Sequence, residues 1–409
     1  MSHRKSSNPP VWVDDRRPPH SLHKMMSRPG SMPPEMARYF ITRYSSTGDL
    51  VLDPFCGKGT VLLEASLLGR RAIGFDIAPD VAIVANAKLN PPSISEVERL
   101  LESLSFQDGK ARGISWQVRT FFSRKTLAQI VDIRDHLFRQ LDNGTGKRKR
   151  TAHFLLGTLL GILHGHSRLS LSVSCSHSFA MAPRYVREYA RKFGLRRPNR
   201  DVKECLLFRC RELLADAPPA GSGAAYLGIA EKYPRLRGGT LENSVDLIVT
   251  SPPYLDVQTY AKDSWLRLWL LGYEYREIRA RLIETGSPKL YLQKMEPCLR
   301  EMLRVLKPLG YAVIIAGDAP WTCGTEKRFF ATAQELGDLG TRLSYSGFTF
   351  RIEARMLDEI PAHARYYSSV HKDGRKSRKD PGRKGVRLER IIVLRKVECR
   401  GGTKRLEFF

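Results

Sequence analysis

Asp53-Pro54-Phe55-Cys56-Gly57-Lys58-Gly59-Thr60 ends one apolar run, LVLDPF, and opens a second, TVLLEASLL. A strand ending in Gly-x-Gly lets the backbone approach a ligand closely and starts a helix whose amide groups can face it. Lys58 and Thr60 suggest a phosphate-binding P-loop, but the first Gly that such a loop requires ahead of the Gly-Lys pair is absent. The GxGxxG form fails too, because position 62 is Leu. Neither ATP nor a nicotinamide cofactor is therefore the natural ligand. Asp76 lies 17 residues after Gly59, at the end of another apolar run. In nucleotide-binding α/β folds an acid in that place accepts hydrogen bonds from ribose hydroxyls; the alternative is a helix N-cap. The third constellation is Thr250-Ser251-Pro252-Pro253-Tyr254. Its two prolines stiffen the turn and remove two donors, which leaves carbonyls as acceptors. Ser251 adds a hydroxyl acceptor and Tyr254 an aromatic face for a flat ring. Acceptors for two amino hydrogens beside a ring platform suit the amino group of a nucleobase.

The elements that must position these residues alternate like a parallel sheet wrapped by helices. A helix is expected over 33–44, a strand over 49–55, a helix from Thr60 to Leu68, a strand over 70–77 and a helix from Pro79 to Leu89. After Asn90-Pro91-Pro92 the pattern becomes mostly helical as far as about Gly239, with basic or Gly-rich breaks at 142–150 and 218–223. It resumes with a strand at 244–254, a long helix through Met295–Leu306, and strands at 307–318, 348–357 and 388–396. The expected architecture is one discontinuous α/β domain, 20–90 with 240–400. Residues 91–239 are a helical insertion into it, or an independent domain with its own core. Parallel topology makes the first and fourth strands neighbours, so the GxG and Ser-Pro-Pro-Tyr segments meet at one crevice.

With these motifs in place, the chain resembles the DNA amino-methyltransferases, which modify adenine at N6 or cytosine at N4. DPFCGKGT resembles that family's cofactor motif D-P-F-x-G-S-G-T, with Lys58 in place of the common Ser. TSPPY resembles its catalytic motif [DNS]-P-P-[YFW], in which a leading Ser is commoner among the cytosine-N4 members. GFDI, with Asp76, matches the acidic motif, and LKPLGYAVII resembles the helix-to-strand passage of the fold. The resemblance covers about residues 20–90 and 240–320; the family's third cofactor motif, a Gly-Asp after the third strand, is not visible. It implies a Rossmann-like class I methyltransferase fold and S-adenosyl-L-methionine as cofactor. Asp53, Pro54, Phe55, Gly57, Gly59, Thr60 and Asp76 would bind the cofactor, and Ser251, Pro252, Pro253 and Tyr254 would be catalytic. The implied reaction is methyl transfer to the amino group of a flipped base, with cytosine N4 preferred to adenine N6. Double-stranded DNA is the implied partner, and a cognate restriction or defence protein is left open.

Composition agrees. Sixty-eight Lys and Arg against 42 Asp and Glu leave a net charge of +26, an excess that suits a polyanionic partner. Candidate DNA contacts are the basic tracts at 147–150, 184–200 and 234–237 and the loop at 371–387. Within them Arg184, Arg187, Arg191 and Lys192 fall mostly along one side of a helix, which could equally be a solvated face. Seven scattered cysteines without a CxxC pair suit a reducing cytoplasm, and no apolar run is long enough for a membrane span. The N-terminal residues lack the apolar core of a secretion signal. No metal site is expected: His164 and His166 have no further ligands at suitable spacing. Pro297-Cys298 imitates the nucleophile of carbon-5 cytosine methyltransferases but falls within a helical pattern, and Trp265 and Trp269 stand four apart as core residues do. Two rivals remain. One is amino methylation of RNA, such as guanine in tRNA, disfavoured because only about 48 residues precede the first strand. The other is a catalytically silent nucleic-acid-binding module, disfavoured by the intact motifs.

Overall fold

Continuous apolar strands need cover on both faces, and the strands that end in the motifs are of that kind. All four residues of β1 (Leu50–Asp53) are buried, as are five of the six in β4 (Val245–Thr250). The structure is a computed structural model that describes residues 19–28, 31–104, 113–175, 182–233, 240–255, 260–323, 326–360 and 387–399. The tract at 234–237 and residues 371–386 of the basic loop lie outside the described residues.

The remaining strands are β2 (Arg71–Asp76), β3 (Gly223–Leu227), β5 (Leu306–Gly317), β6 (Ala319–Cys323), β7 (Glu326–Phe330), β8 (Ser344–Tyr345), β9 (Phe348–Ile360) and β10 (Arg387–Glu398). Eight of the ten strands among the described residues form one sheet in the order β3-β2-β1-β4-β5-β10-β9-β8, and β6 pairs with β7 in a separate hairpin. The five strands β3-β2-β1-β4-β5 run parallel, while β10 is antiparallel to both β5 and β9. The chain therefore has a Rossmann-like α/β fold whose strand order reverses beside β1. β1 and β4 are neighbours in the register Val51↔Leu247 and Leu52↔Ile248, so both motif loops leave the same end of the sheet.

Helices α1 (Pro34–Tyr44), α2 (Thr60–Leu67) and α3 (Pro79–Leu89) accompany the first strands, and both α1 and α3 start on a proline. Six helices follow: α4 (Ile94–Glu102), α5 (Trp116–Arg119), α6 (Arg124–Asn143), α7 (Gly146–Ile162), α8 (Pro183–Lys192) and α9 (Val202–Leu213). After β4 come α10 (Tyr260–Asp263), α11 (Trp265–Leu271), α12 (Tyr275–Arg281), α13 (Pro288–Val305) and, after the hairpin, α14 (Thr332–Gly340).

The expected helical stretch 91–239 holds the six helices but also contains a strand. The Gly-rich 218–223 leads into β3, which extends the parallel sheet at its edge beside β2. The expected break at 142–150 is also much shorter: Lys147–Arg150 belongs to the first turns of α7, where Arg150 pairs with Glu96 at 2.7 Å. The helices share one apolar cluster with α3 and α11, through Val81, Val84, Leu266 and Leu270.

Candidate active site

The first motif is a turn with unusual backbone needs. Gly57 and Gly59 both have positive φ, 49° and 75°. A Cβ on Gly59 would stand 2.7 Å from the Ala85 Cβ and 3.0 Å from its Cα, so only glycine lets the turn lie against α3. A Cβ on Gly57 would meet nothing within 4 Å: that side of the loop is open, as a ligand cradle requires. The Gly59 amide donates to the Cys56 carbonyl at 2.7 Å, and α2 starts at Thr60. Beneath the loop the fully buried Lys88 of α3 donates to the Lys58 carbonyl at 2.6 Å.

Two carboxylates organise the opening. Asp76 accepts from the Gly57 amide with one oxygen and from the Ala78 amide with the other, each at 2.9 Å. Burial raises its pKa, opposed by the charge of Arg28 and by those amides. Asp53 is buried at 3% exposure and accepts from Thr250 Oγ1 at 2.7 Å and from the Phe55 amide at 3.1 Å. It therefore ties the GxG loop to the residue that precedes the Ser-Pro-Pro-Tyr turn. Burial pushes the Asp53 carboxyl up to about 7.

In that turn Tyr291 Oη, from α13, donates to the Pro253 carbonyl at 2.8 Å. Among the described residues no donor meets the Pro252 carbonyl. Ser251 Oγ lies 3.3 Å from Tyr254 Oη, which donates in turn to Glu389 of β10 at 3.4 Å. Tyr254 is itself 8% exposed and packed in the core.

One cleft brings Asp53, Phe55, Gly57, Thr60 and Asp76 together with Ser251 and Pro253. Pro54, Gly59, Pro252 and Tyr254 are not part of its wall. The sequence reading missed Arg28, Ser31 and Met32, which also line it. Their only signal is an Arg-Pro-Gly-Ser sequence ahead of the first helix. Arg28 is held 3.8 Å from the fully buried Asp80 at the start of α3. Glu389, brought in by the last strand, carries no sequence signal at all.

Residues 3–86 match the model of a family described as DNA methylase. This segment is similar to the DNA methylase family. It carries the GxG loop and Asp76, while the Ser-Pro-Pro-Tyr turn lies beyond it. The chain is 33% identical over 82 residues to the Type II methyltransferase M.MjaII of Methanocaldococcus jannaschii, covering 20% of this chain and 15% of that protein. It is 50% identical over 50 residues to the tRNA (guanine(10)-N2)-dimethyltransferase of Methanothermobacter thermautotrophicus, covering 12% of this chain and 15% of that one. The matches thus span only 15% of these relatives' length. A SAM-dependent methyltransferase structure from Methanosarcina mazei aligns over 88% of this chain and 98% of that one, at 12% identity and a TM-score of 0.33.

The other candidates resolve into structure. Cys298 lies inside α13 with its thiol pushed up to about 12 by burial, which is unsuited to a nucleophile. His164 is buried, with Nδ1 2.6 Å from Ser172 Oγ and Nε2 3.5 Å from Cys175 Sγ. Trp265 packs edge-on against Phe121 at 5.4 Å, and Trp269 rests on the same helical core. Arg184, Arg187, Arg191 and Lys192 are all exposed on α8 and just at its end, with the Arg187 guanidinium 5.3 Å from the Trp116 ring. No helix among the described residues is long and apolar enough to cross a membrane.

Proposed function

We propose that the chain transfers the methyl group of S-adenosyl-L-methionine to the exocyclic amino group of a base flipped out of double-stranded DNA, cytosine N4 in preference to adenine N6. The observation that carries this reading is the shared cleft of the GxG loop and the Ser-Pro-Pro-Tyr turn, cross-linked by Asp53 and Thr250. The preference for cytosine rests on Ser251 as the first residue of the turn.

The residues present fit this cofactor. The open side of Gly57 allows close approach, Asp76 offers carboxylate lone pairs to ribose hydroxyls, and Arg28 offers a cation to a carboxylate. When bound, the cofactor supplies a methyl group already activated on a sulfonium. The protein's task is then to hold the accepting nitrogen in line, which needs positioning rather than a strong base. Ser251 Oγ and the Pro252 carbonyl orient the two amino hydrogens and favour a pyramidal nitrogen. Tyr291 fixes the turn by occupying the Pro253 carbonyl, so the turn does not have to order itself when substrate arrives. The line Ser251–Tyr254–Glu389 gives the released proton a route away from the amino group.

A second reading, amino methylation of tRNA, is favoured by the similarity to the tRNA (guanine(10)-N2)-dimethyltransferase. Incubation with methyl-tritiated cofactor and either unmodified DNA or unmodified tRNA separates the two. Label entering tRNA alone would overturn the DNA reading. Absence of cofactor binding in a titration would leave only a silent binding module.

A further inference from the structure

Away from the active site, a cleft opens between the start of α6 and the segment that follows α8. Arg124, Arg187, Arg196 and Arg197 line it, with the hydroxyls of Thr120 and Ser123. Many arginines of this protein are paired: Arg38 with Glu64, Arg150 with Glu96, Arg304 with Glu301 and Arg390 with Asp318 all meet carboxylates at 2.9 Å or less. None of the four cleft arginines has a carboxylate partner among the described residues. Four uncompensated guanidiniums in one concavity repel each other, and the arrangement suits a ligand that brings negative charge.

The cleft is also built in advance. The Arg197 guanidinium donates to the Arg119 carbonyl at 2.8 Å, which pins the segment after α8 onto α5. The Arg200 amide donates to Thr126 Oγ1 at 2.8 Å and the Val202 amide to Gln129 Oε1 at 2.9 Å, so the first turns of α6 hold the rest. Arg187 lies over the half-exposed Trp116 ring at 5.3 Å, a cation–π contact that helps hold it in place. Arg184, Arg191 and Lys192 carry the positive surface beyond the rim. Phe121, next to Thr120, packs on Trp265, which begins the second helix after the Ser-Pro-Pro-Tyr turn.

We propose that this cleft binds backbone phosphates of duplex DNA beside the target base, with Arg124, Arg196 and Arg197 as the principal contacts. It deepens the reading of the chain as a DNA methyltransferase and rests on it for the identity of the ligand. Guanidinium forks match phosphate oxygens bidentately, and an open cleft continuous with a basic face fits a strand rather than a single ion. The role is positional: such contacts set register and carry no base sequence.

The test uses the full chain, a fluorescent 30-base-pair duplex and S-adenosylhomocysteine, with anisotropy measured across a salt series. The triple variant Arg124→Gln, Arg196→Gln, Arg197→Gln should lower the slope of log K against log salt by about 0.9 per lost phosphate contact, hence by roughly 2 to 3. Its cofactor affinity should match wild type, and its melting temperature should fall only slightly, through loss of the Arg197 hydrogen bond to the Arg119 carbonyl. Arg300→Gln, which removes a surface arginine paired with Glu296 on α13, should leave the slope unchanged. A wild-type slope and affinity in the triple variant would overturn the proposal. So would loss of tRNA binding with duplex binding intact, or a cleft that takes inorganic phosphate but does not affect the duplex. If the triple variant loses duplex binding while the wild-type protein transfers no methyl to DNA, the cleft stands and the proposed reaction falls. If the variant methylates limiting duplex at the wild-type rate, the reaction stands and the cleft falls.

Discussion

Asp76→Asn separates a ribose-binding carboxylate from a structural cap. Each oxygen of Asp76 already accepts one backbone amide, from Gly57 and from Ala78, at 2.9 Å. An asparagine keeps one acceptor and turns an amino group toward the other amide, so one of these bonds is lost together with the charge. A hydrogen bond to a charged group contributes about 1.5–3 kcal/mol. Loss of one such bond to ribose should weaken S-adenosyl-L-methionine binding by roughly 10- to 150-fold, at about 1.4 kcal/mol per decade. The fold itself should lose little, because burial already disfavours the charged carboxylate, whose pKa is raised. Isothermal titration calorimetry gives the affinity and a thermal melt gives the fold. Wild-type affinity in a variant that melts normally would refute the assignment of Asp76 to the ribose.

Gly57→Ala and Gly59→Ala should diverge. The first places a methyl group in open space at the cost of about 1–2 kcal/mol of left-handed strain and should fold yet bind cofactor poorly, whereas the second meets the α3 backbone and should lower Tm sharply. Comparing Tm with calorimetric affinity for both variants checks this, and a normal Tm in Gly59→Ala would contradict the packing. Asp53 should make the cofactor-free protein gain stability on acidification. Its folded pKa of about 7 lies above the ordinary carboxyl value of 3.8, so the folded state binds the extra proton as pH falls through that window. Between about pH 8 and 6.5 the gain is about 0.8 kcal/mol by linkage, and Asp53→Asn should abolish it in denaturant titrations. Below that range His23, buried with its pKa lowered to about 4, acts in the opposite sense and costs stability as pH falls. Ser251→Ala and Tyr254→Ala should lower kcat in a tritium-transfer assay and leave the cofactor Kd unchanged; full turnover in Tyr254→Ala would remove that side chain from the mechanism.

Much of the sheet was legible because its central strands are short apolar runs that end in punctuating motifs. The meeting of Asp53 with Thr250 then follows from parallel topology alone, although 197 residues separate them. β3 was not legible. It reads GAAYL, follows a Gly- and Pro-rich stretch, and is only partly buried at the sheet edge, so neither a continuous apolar run nor a clean alternation marks it. Arg28 escaped notice because only the folded chain brings it into one cleft with the GxG loop, and Glu389 because β10 places it beside Tyr254. The arginine cleft joins residues more than seventy positions apart through hydrogen bonds of Arg197 and Arg200; charge counting along the chain found the tract 184–200 but could not bring Arg124 to it.

The central claim is the transfer of a methyl group to an amino nitrogen of a DNA base. Its most direct test is incubation of the full chain with unmethylated duplex DNA and trideuteromethyl-labelled S-adenosyl-L-methionine, followed by digestion to nucleosides and mass spectrometry. The account predicts labelled N4-methylcytosine whose yield falls in Asp76→Asn at limiting cofactor and in Ser251→Ala. Label in N6-methyladenine would keep the reaction and correct the base, whereas label on carbon 5 of cytosine, or none in a preparation shown to bind the cofactor, would contradict the account.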